Sequence, residues 1–154
     1  MKSFACALIA ALTSAVSTDG KCRALVMSGG SNNGVWEAGV LYGLTHYGDP
    51  KDFTWDVASG VSAGGINAGL CAVWPQGSEV EMTQWMSDKY ASISSRDIWT
   101  LNPGTPYELF FKQKSLLNDN PALETIKNFI SDRGSIQRRF VASAMDVNLG
   151  EYVP

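Results

Sequence analysis

Two glycine-rich segments, each placed between an apolar stretch and a helical one, constrain the fold more than any other feature of this sequence. Residues 28–34 read SGGSNNG and follow the apolar stretch 23–27, whereas residues 60–65 read GVSAGG and follow residues 53–59. Short apolar runs that end at glycine are typical of buried β-strands. Two strand–turn–helix units in succession favour a parallel sheet with helices packed against it, which is an α/β fold.

Helical periodicity follows each glycine-rich segment. Residues 35–46 place apolar side chains near one face, and Gly48 behind them favours a helix end. A second helix, built from small residues, is predicted from about Ile66 to Trp74, where Pro75 ends it.

The second half of the chain predicts further helices and strands. Ser78 and Glu81 have the spacing of a capping box, so a helix is expected to begin there and to extend to about Tyr90. Asn120, followed by a proline, is expected to be the N-cap of another helix after the loop-rich residues 91–119. The apolar face of that helix is predicted to contain Leu123, Ile126, Phe129 and Ile130. Two strands are predicted after it, at residues 140–145 and 151–153.

Composition narrows the class of protein. The chain has 154 residues, of which 45% are hydrophobic and 18% charged, and this is typical of one globular domain. The net charge is −3 and Arg138–Arg139 is the only adjacent basic pair, so the basic stripe of a nucleic-acid binder is absent. No apolar run reaches the roughly 18–20 residues that would cross a bilayer, so no transmembrane span is predicted.

The first 17 residues have the pattern of a secretory signal peptide. Lys2 precedes a short apolar stretch, and small residues follow it, with cleavage after Ala15 or after Ser17 fitting equally well. The protein is therefore expected to be secreted or to lie in an endomembrane lumen. The alternative is a buried N-terminal helix.

Removal of this segment would leave two of the three cysteines. Cys6 would be lost, and Cys22 and Cys71 would remain. An even pair in an oxidising compartment can form a disulfide, but two buried free thiols fit the sequence almost as well.

The second glycine-rich segment contains the pattern G-x-S-x-G, formed by Gly60, Ser62 and Gly64. A strand-to-helix turn of this kind can present the serine hydroxyl as a nucleophile at a helix N-terminus, where the helix dipole favours developing negative charge. The alternative is an ordinary turn in which Ser62 is a helix N-cap.

The first glycine-rich segment does not fit the usual phosphate-binding loops. Val35 and Trp36 follow Gly34, where a P-loop would have lysine and then serine or threonine, and the G-x-G-x-x-G spacing of dinucleotide-binding folds is poorly matched. Successive backbone N–H groups at a helix start can instead bind an oxyanion. Because the two segments end neighbouring parallel strands, we expect them to lie side by side.

A serine nucleophile needs a base, and the single histidine does not fit this role. In α/β hydrolases the histidine follows the serine, but His46 precedes Ser62. His46 also lies in the last turn of its helix, at the sheet edge opposite the glycine-rich turns, where a surface position is expected. A histidine triad within this chain is therefore excluded, and a carboxylate remains as the base.

At these residues the chain resembles the patatin-like phospholipase family. The resemblance rests on LVMSGGSNNGVWEAGVL at residues 25–41 and on GVSAGGINAG at residues 60–69. The family pattern is a loop written G-G-G-x-[RK]-G, a G-x-S-x-G about 30 residues later, and a distal D-G-[GA]. The first two parts match in order and spacing, and the resemblance covers roughly residues 23–154.

The resemblance implies a three-layer α/β/α fold with a mainly parallel sheet and a serine–aspartate dyad. It implies a lipid acyl hydrolase of the phospholipase A or esterase type that acts on a lipid or ester substrate without a metal or other cofactor. By this resemblance Ser62 is the nucleophile, and backbone N–H groups around Gly29, Gly30 and Ser31 form the oxyanion hole.

The chain departs from the family pattern in its first loop. Ser31 replaces the third glycine, which is tolerable only if its backbone does not need a positive φ. Asn33 replaces the usual arginine or lysine, so oxyanion stabilisation would depend more on N–H dipoles.

The distal D-G-[GA] pattern is absent from these 154 residues. The family aspartate is therefore expected beyond Pro154, with residues 18–154 forming an incomplete domain that has little or no activity alone. Asp146, at the end of a predicted strand, is a candidate substitute base. Its alternative role is to bind the turn that follows it.

Three interpretations of function remain. The first is a serine lipid acyl hydrolase, and the second is a catalytically inactive secreted protein that binds or stores. A nucleotide-binding domain is the third, and it lacks the required lysine and glycine spacing. Trp99 and residues 107–111 could form an apolar lip that meets a membrane surface, although such aromatic residues are more often part of a core.

Overall fold

The computed structural model describes residues 20–112 and 115–153, so the predicted signal peptide lies outside the described residues. The strands are β1 (Ala24–Met27), β2 (Val57–Val61), β3 (Thr100–Leu101), β4 (Leu117–Asn118), β5 (Arg139–Asp146) and β6 (Glu151–Val153). The helices are α1 (Gly34–Tyr47), α2 (Ala63–Ala72), α3 (Glu79–Ala91), α4 (Pro106–Phe111) and α5 (Asn120–Ile130). None of the described helices is both long enough and apolar enough to span a bilayer.

The main sheet has the order β1-β2-β5-β6. Strands β1, β2 and β5 are parallel, and β6 returns antiparallel to β5. The α/β class and the mainly parallel sheet are therefore confirmed. In the register of β1 and β2, Met27 lies opposite Gly60, so the two glycine-rich turns leave the sheet side by side, as the sequence predicts.

The two faces of the sheet differ in their cover. Leu25, Ala58 and Phe140 are in register on one face, and Gly69 of α2 packs 3.6 Å from the Phe140 ring as judged from a built Cβ. Helix α2 lies across β1, β2 and β5, and α1 packs on α2 and α3. On the opposite face of the described residues, Val26 is 74% and Val141 40% exposed.

A buried ion pair between Arg138 and Glu79 connects the start of β5 to the start of α3. Arg138 donates to Glu79 Oε1 at 3.0 Å and also to the carbonyl oxygens of Trp55, Trp74 and Pro75. Both charged side chains are nearly inaccessible to solvent. A buried guanidinium is tolerated because a carboxylate and three carbonyl groups satisfy its donors.

Several predicted boundaries are wrong. The second strand begins at Val57 rather than Phe53, because the N–H of Phe53 and the hydroxyl of Thr54 both donate to the carbonyl oxygen of Pro50 and hold these residues in a turn. Helix α3 begins directly after Ser78, as predicted, but the capping box is not formed, since Ser78 makes no side-chain cap and its N–H donates to the carbonyl oxygen of Pro75. The small-residue helix begins at Ala63, directly after the candidate nucleophile, instead of at Ile66.

The N-cap of α5 and the state of the two cysteines also differ from what the sequence predicts. Asp119, not Asn120, is the N-cap of α5, and Leu123, predicted on its apolar face, is 52% exposed. Cys22 and Cys71 are both free, so the disulfide is not formed. Only Cys71 is buried, so the alternative of two buried thiols is half correct.

Candidate active site

Ser62 occupies the single residue between β2 and α2 and has a strained backbone. Its φ is 54° and its ψ −124°. In the described ranges, Ser31 is the one other non-glycine residue with a positive φ. A side chain in this region costs of order 1–3 kcal/mol, and such residues concentrate at functional sites because the surrounding structure must hold them. The strand-to-helix turn therefore has the geometry of a nucleophile elbow.

Gly60 and Gly64 permit the tight approach that this turn needs. A Cβ built on Gly60 would overlap the backbone of Gly64. A Cβ built on Gly64 would lie 2.6 Å from the carbonyl oxygen of Met27 and 2.5 Å from that of Ser28. Both clashes are with backbone atoms, which cannot move aside, so glycine is required at both positions on steric grounds.

The first glycine-rich loop packs directly against the elbow. Residues 31–33 form one 3-10 turn that leads into α1. Ser31 has a φ of 53°, so the condition on which the sequence analysis accepted a serine there is not met, and the residue carries strain. In the part of the chain that the structure describes, the N–H groups of Gly29, Gly30 and Ser31 have no backbone or side-chain acceptor.

A cavity of about 390 Å³ opens beside Ser62 and Ser31. Gly29 and Gly30 line a neighbouring hollow of about 340 Å³, which Trp36 and Glu37 border. The lining of the main cavity is largely apolar and comes from both glycine-rich turns, from α1, α2 and α5, and from the end of α3 with the segment 93–99 after it. Its members are Ser31, Asn32, Gly34, Val35, Ser62, Ala63, Ile66, Leu70, Tyr90, Ile93, Ser94, Ser95, Ile98, Trp99, Ala122, Thr125, Ile126 and Phe129.

A buried amide connects the helices around this cavity. Asn67 is fully buried on α2 and donates to the Gly34 carbonyl oxygen at 2.9 Å and to Glu37 Oε2 at 3.0 Å. The hydroxyl of Tyr90 on α3 donates to Asn67 Oδ1 at 2.5 Å. Burial, with a smaller contribution from the charge of Glu37, raises the pKa of Tyr90 to about 12. The hydroxyl therefore remains a donor at neutral pH.

Asp146 and His46 are both displaced from Ser62, the first along its strand and the second along its helix. Val61 pairs with Ser143, so Asp146 lies three residues farther along β5, about 10 Å. Its Oδ1 accepts the N–H groups of Asn148 and Leu149, at 2.9 and 3.1 Å. His46 is stacked on Tyr42 near the C-terminus of α1, at the far end of that helix from the loop.

Sequence analysis missed most of the residues around the cavity. Ile66 and Leu70 have the helical spacing of an ordinary core face, and Asn67 resembles any polar residue in a helix, so no local pattern distinguishes them. Glu37, in the first turn of α1, was missed for the same reason. Among the described residues, no group of histidine, cysteine, aspartate and glutamate side chains is arranged to hold a metal ion.

The comparisons with known proteins identify one family. The family model for patatin-like phospholipases matches residues 25–148, which is most of this chain. No curated protein and no solved structure matches the chain. The matched range contains both glycine-rich turns, the helices around the cavity and β5.

Proposed function

This chain belongs to the patatin-like phospholipase family, and we propose that it is a serine lipid acyl hydrolase with Ser62 as its nucleophile. The family supports lipid acyl hydrolysis as the general activity. The observation that carries the assignment of Ser62 is its strained backbone at the mouth of a mostly apolar cavity. An ordinary N-cap needs no such strain, since an N-cap residue normally has extended backbone angles.

The proposed reaction is acyl transfer in two steps. A carboxylate base accepts the Ser62 proton while Oγ forms a bond to the ester carbonyl carbon, and the negative charge moves onto the carbonyl oxygen. Unpaired N–H groups of Gly29, Gly30 and Ser31 stabilise this oxyanion. The bond to the alcohol oxygen then breaks, and the alcohol leaves with the proton. Water hydrolyses the acyl-serine, releasing the acid and restoring the serine hydroxyl.

We propose that the base is the aspartate that the family pattern places after this segment. Asp146 is the substitute within these residues, but the turn after β5 already uses one of its oxygens. The chain of 154 residues alone is therefore expected to show little or no turnover. Steady ester hydrolysis by this chain that is lost in Ser62→Ala and in Asp146→Asn would assign the base to Asp146.

The assignment is tested by covalent labelling of the full-length protein that the gene encodes. A fluorophosphonate probe should attach to Ser62, as located by peptide mass spectrometry, and hydrolysis of p-nitrophenyl butyrate should disappear in Ser62→Ala. Ser59→Ala changes a half-buried serine of β2 and is the matched control. Equal hydrolysis in Ser62→Ala, or no labelling of the full-length protein, would contradict the proposal.

The alternative is a secreted binding or storage protein that has the fold without the reaction. It is supported by Asn33, which lacks the positive charge of the family loop. Reading the transcript beyond the codon for Pro154 separates the two proposals. An open frame that reaches Asp-Gly-Gly or Asp-Gly-Ala favours the enzyme, whereas an immediate stop codon favours the binding protein. Secretion itself is tested by N-terminal sequencing of the mature protein, which should begin at Val16 or Thr18.

A lipid surface is the proposed source of the substrate. The aromatic residues of α4 are not part of the core, because Tyr107, Phe110 and Phe111 are 64%, 72% and 76% exposed. Sedimentation with phosphatidylcholine vesicles should fall in the double variant Phe110→Ser/Phe111→Ser. Tyr47→Ser is the control, since Tyr47 is equally exposed but lies at the far end of α1. Unchanged sedimentation of the double variant would remove this role for α4.

A further inference from the structure

The cavity beside Ser62 has one wall on the helix that follows the nucleophile. Ser62, Ile66 and Leu70 all line it and are four residues apart, so they lie along one face of α2. Eight residues of helix advance about 12 Å from Ser62 to Leu70. The exposure of these side chains falls along the same direction, from Ser62 and Ile66 at the surface to Leu70, which is 1% exposed.

The facing wall is formed by α5. Ala122, Ile126 and Phe129 line the cavity with the spacing of one helix face. Ala122 lies at the mouth, where its N–H donates to the carbonyl oxygen of Ile98 at 3.1 Å. Phe129 is buried at the other end, and its ring lies 5.3 Å from the ammonium group of Lys89.

The two walls therefore enclose a channel with an open end and a closed end. Ser62, Ala122 and Trp99 are at the open end, and Leu70 and Phe129 close the other. No charged side chain lines it among the described residues. An apolar channel that begins at a nucleophile and is closed at its far end by buried side chains fits a hydrocarbon chain.

We propose that this channel holds the acyl chain of the ester and limits it to about ten carbons, since an extended chain of 1.52 Å bonds advances about 1.25 Å per carbon over a wall about 12 Å long. This inference rests on the proposed function, because the reacting carbonyl group must be at Ser62 for the acyl chain to enter here.

Isothermal titration of the intact chain with saturated fatty acids of even length, from hexanoate to tetradecanoate below their micelle concentrations, tests the length limit. Affinity should rise by about fourfold for each added methylene and should stop rising near decanoate. Affinity that rises without a break to tetradecanoate, or no binding at any length, would overturn the proposal.

Variants of α5 locate the closed end. Phe129→Leu should move the break towards longer acids, because it removes the ring that blocks the channel. Ala122→Leu should weaken every length alike, because it narrows the mouth. Leu123→Ala changes the exposed face of the same helix and should leave the profile unchanged. A thermal unfolding curve for each variant shows that it is folded, and a break that does not move in folded Phe129→Leu would contradict the assignment of the closed end.

These measurements separate the two proposals. Binding needs no reaction, and Ser62 lies at the open end of the channel, so Ser62→Ala should keep the break at the same chain length even where the affinity itself changes. A break near decanoate without labelling of Ser62 would keep the channel and remove the hydrolase. Labelling of Ser62 together with a length profile that shows no break would keep the hydrolase and remove the channel.

Discussion

A Cβ atom built on Gly29 would lie 3.3 Å from the Cβ of Ser62, closer than ordinary van der Waals contact, so the first loop and the nucleophile elbow leave little room for a side chain at position 29. The two turns come from neighbouring strands, and any atom added between them changes the distance from the loop N–H groups to the reacting carbonyl. Displacements of about 1 Å in such sites cost on the order of 100-fold in rate.

Gly29→Ala should therefore lower the hydrolysis rate of the full-length protein by about 10- to 100-fold, with little loss of stability, since the contact is tight but not a clash. Gly39→Ala is the control, because a Cβ there meets no atom within 4 Å. The control should stabilise α1 by about 0.5–1 kcal/mol. Equal rates for Gly29→Ala and the unaltered protein would show that the contact does not position the loop.

Glycine at either strained serine should stabilise the fold. Ser62→Gly and Ser31→Gly each remove a side chain from a positive φ, and each should raise the free energy of unfolding by up to about 1 kcal/mol in urea titrations. The two variants should differ in reaction, since Ser62→Gly removes the nucleophile whereas Ser31→Gly keeps every proposed N–H donor. A loss of stability in both variants would mean that the side chains, and not the backbone strain, dominate at these turns.

Asn67→Leu should be strongly destabilising although it keeps the side-chain volume. It leaves the Gly34 carbonyl group, the Glu37 carboxylate and the Tyr90 hydroxyl without their partner. The expected loss is about 2–4 kcal/mol, whereas Tyr90→Phe, which removes one hydrogen bond, should cost about 1 kcal/mol. Chemical unfolding of both variants gives the comparison, and similar losses would show that Asn67 acts through Tyr90 alone.

Cys22 and Cys71 should differ sharply towards thiol reagents. Cys22 is exposed, whereas burial raises the pKa of the Cys71 thiol from 9.0 to about 12. In a chain that begins at Thr18, a disulfide-forming reagent at pH 8 should modify one thiol within minutes and the second only on unfolding.

The raised pKa of Cys71 makes the free energy of unfolding depend on pH. The folded state holds the Cys71 proton more tightly than the unfolded state, so the stability that this group contributes is complete below pH 9 and falls between pH 9 and about 12. Cys71→Ala should show a weaker fall in urea titrations over this range. Rapid modification of both thiols in the folded chain would contradict the burial of Cys71.

The strands and helices next to the glycine-rich turns could be predicted because their signals are local. Gly60 and Gly64 are needed wherever a strand turns directly into a helix, so the letters themselves imply the turn. The start of α3 directly after Ser78 was predicted as well, but the capping box there is not formed. Glu79 forms an ion pair with Arg138, which is distant in the sequence, so no local pattern indicates this contact.

The residues that line the cavity also could not be predicted from local sequence patterns. Leu123 and Ile126 have nearly the same position in the periodic pattern, but only Ile126 faces the cavity, because contacts of the α5 N-terminus with Ile98 set the rotation of the helix. The glycine of the family pattern already raised the question of a positive φ at Ser31, but the answer depends on how the loop meets the elbow.

The strain at Ser62 bears on how such a protein changes over generations. A residue that costs stability is retained only while something selects for it, because random replacement by glycine would be favoured by folding alone. A lineage that had given up acyl transfer for storage would be free to relax this turn. A strained serine at this position therefore indicates selection for the reaction. Its replacement in relatives that lack a downstream aspartate would show in which lineages the reaction was lost.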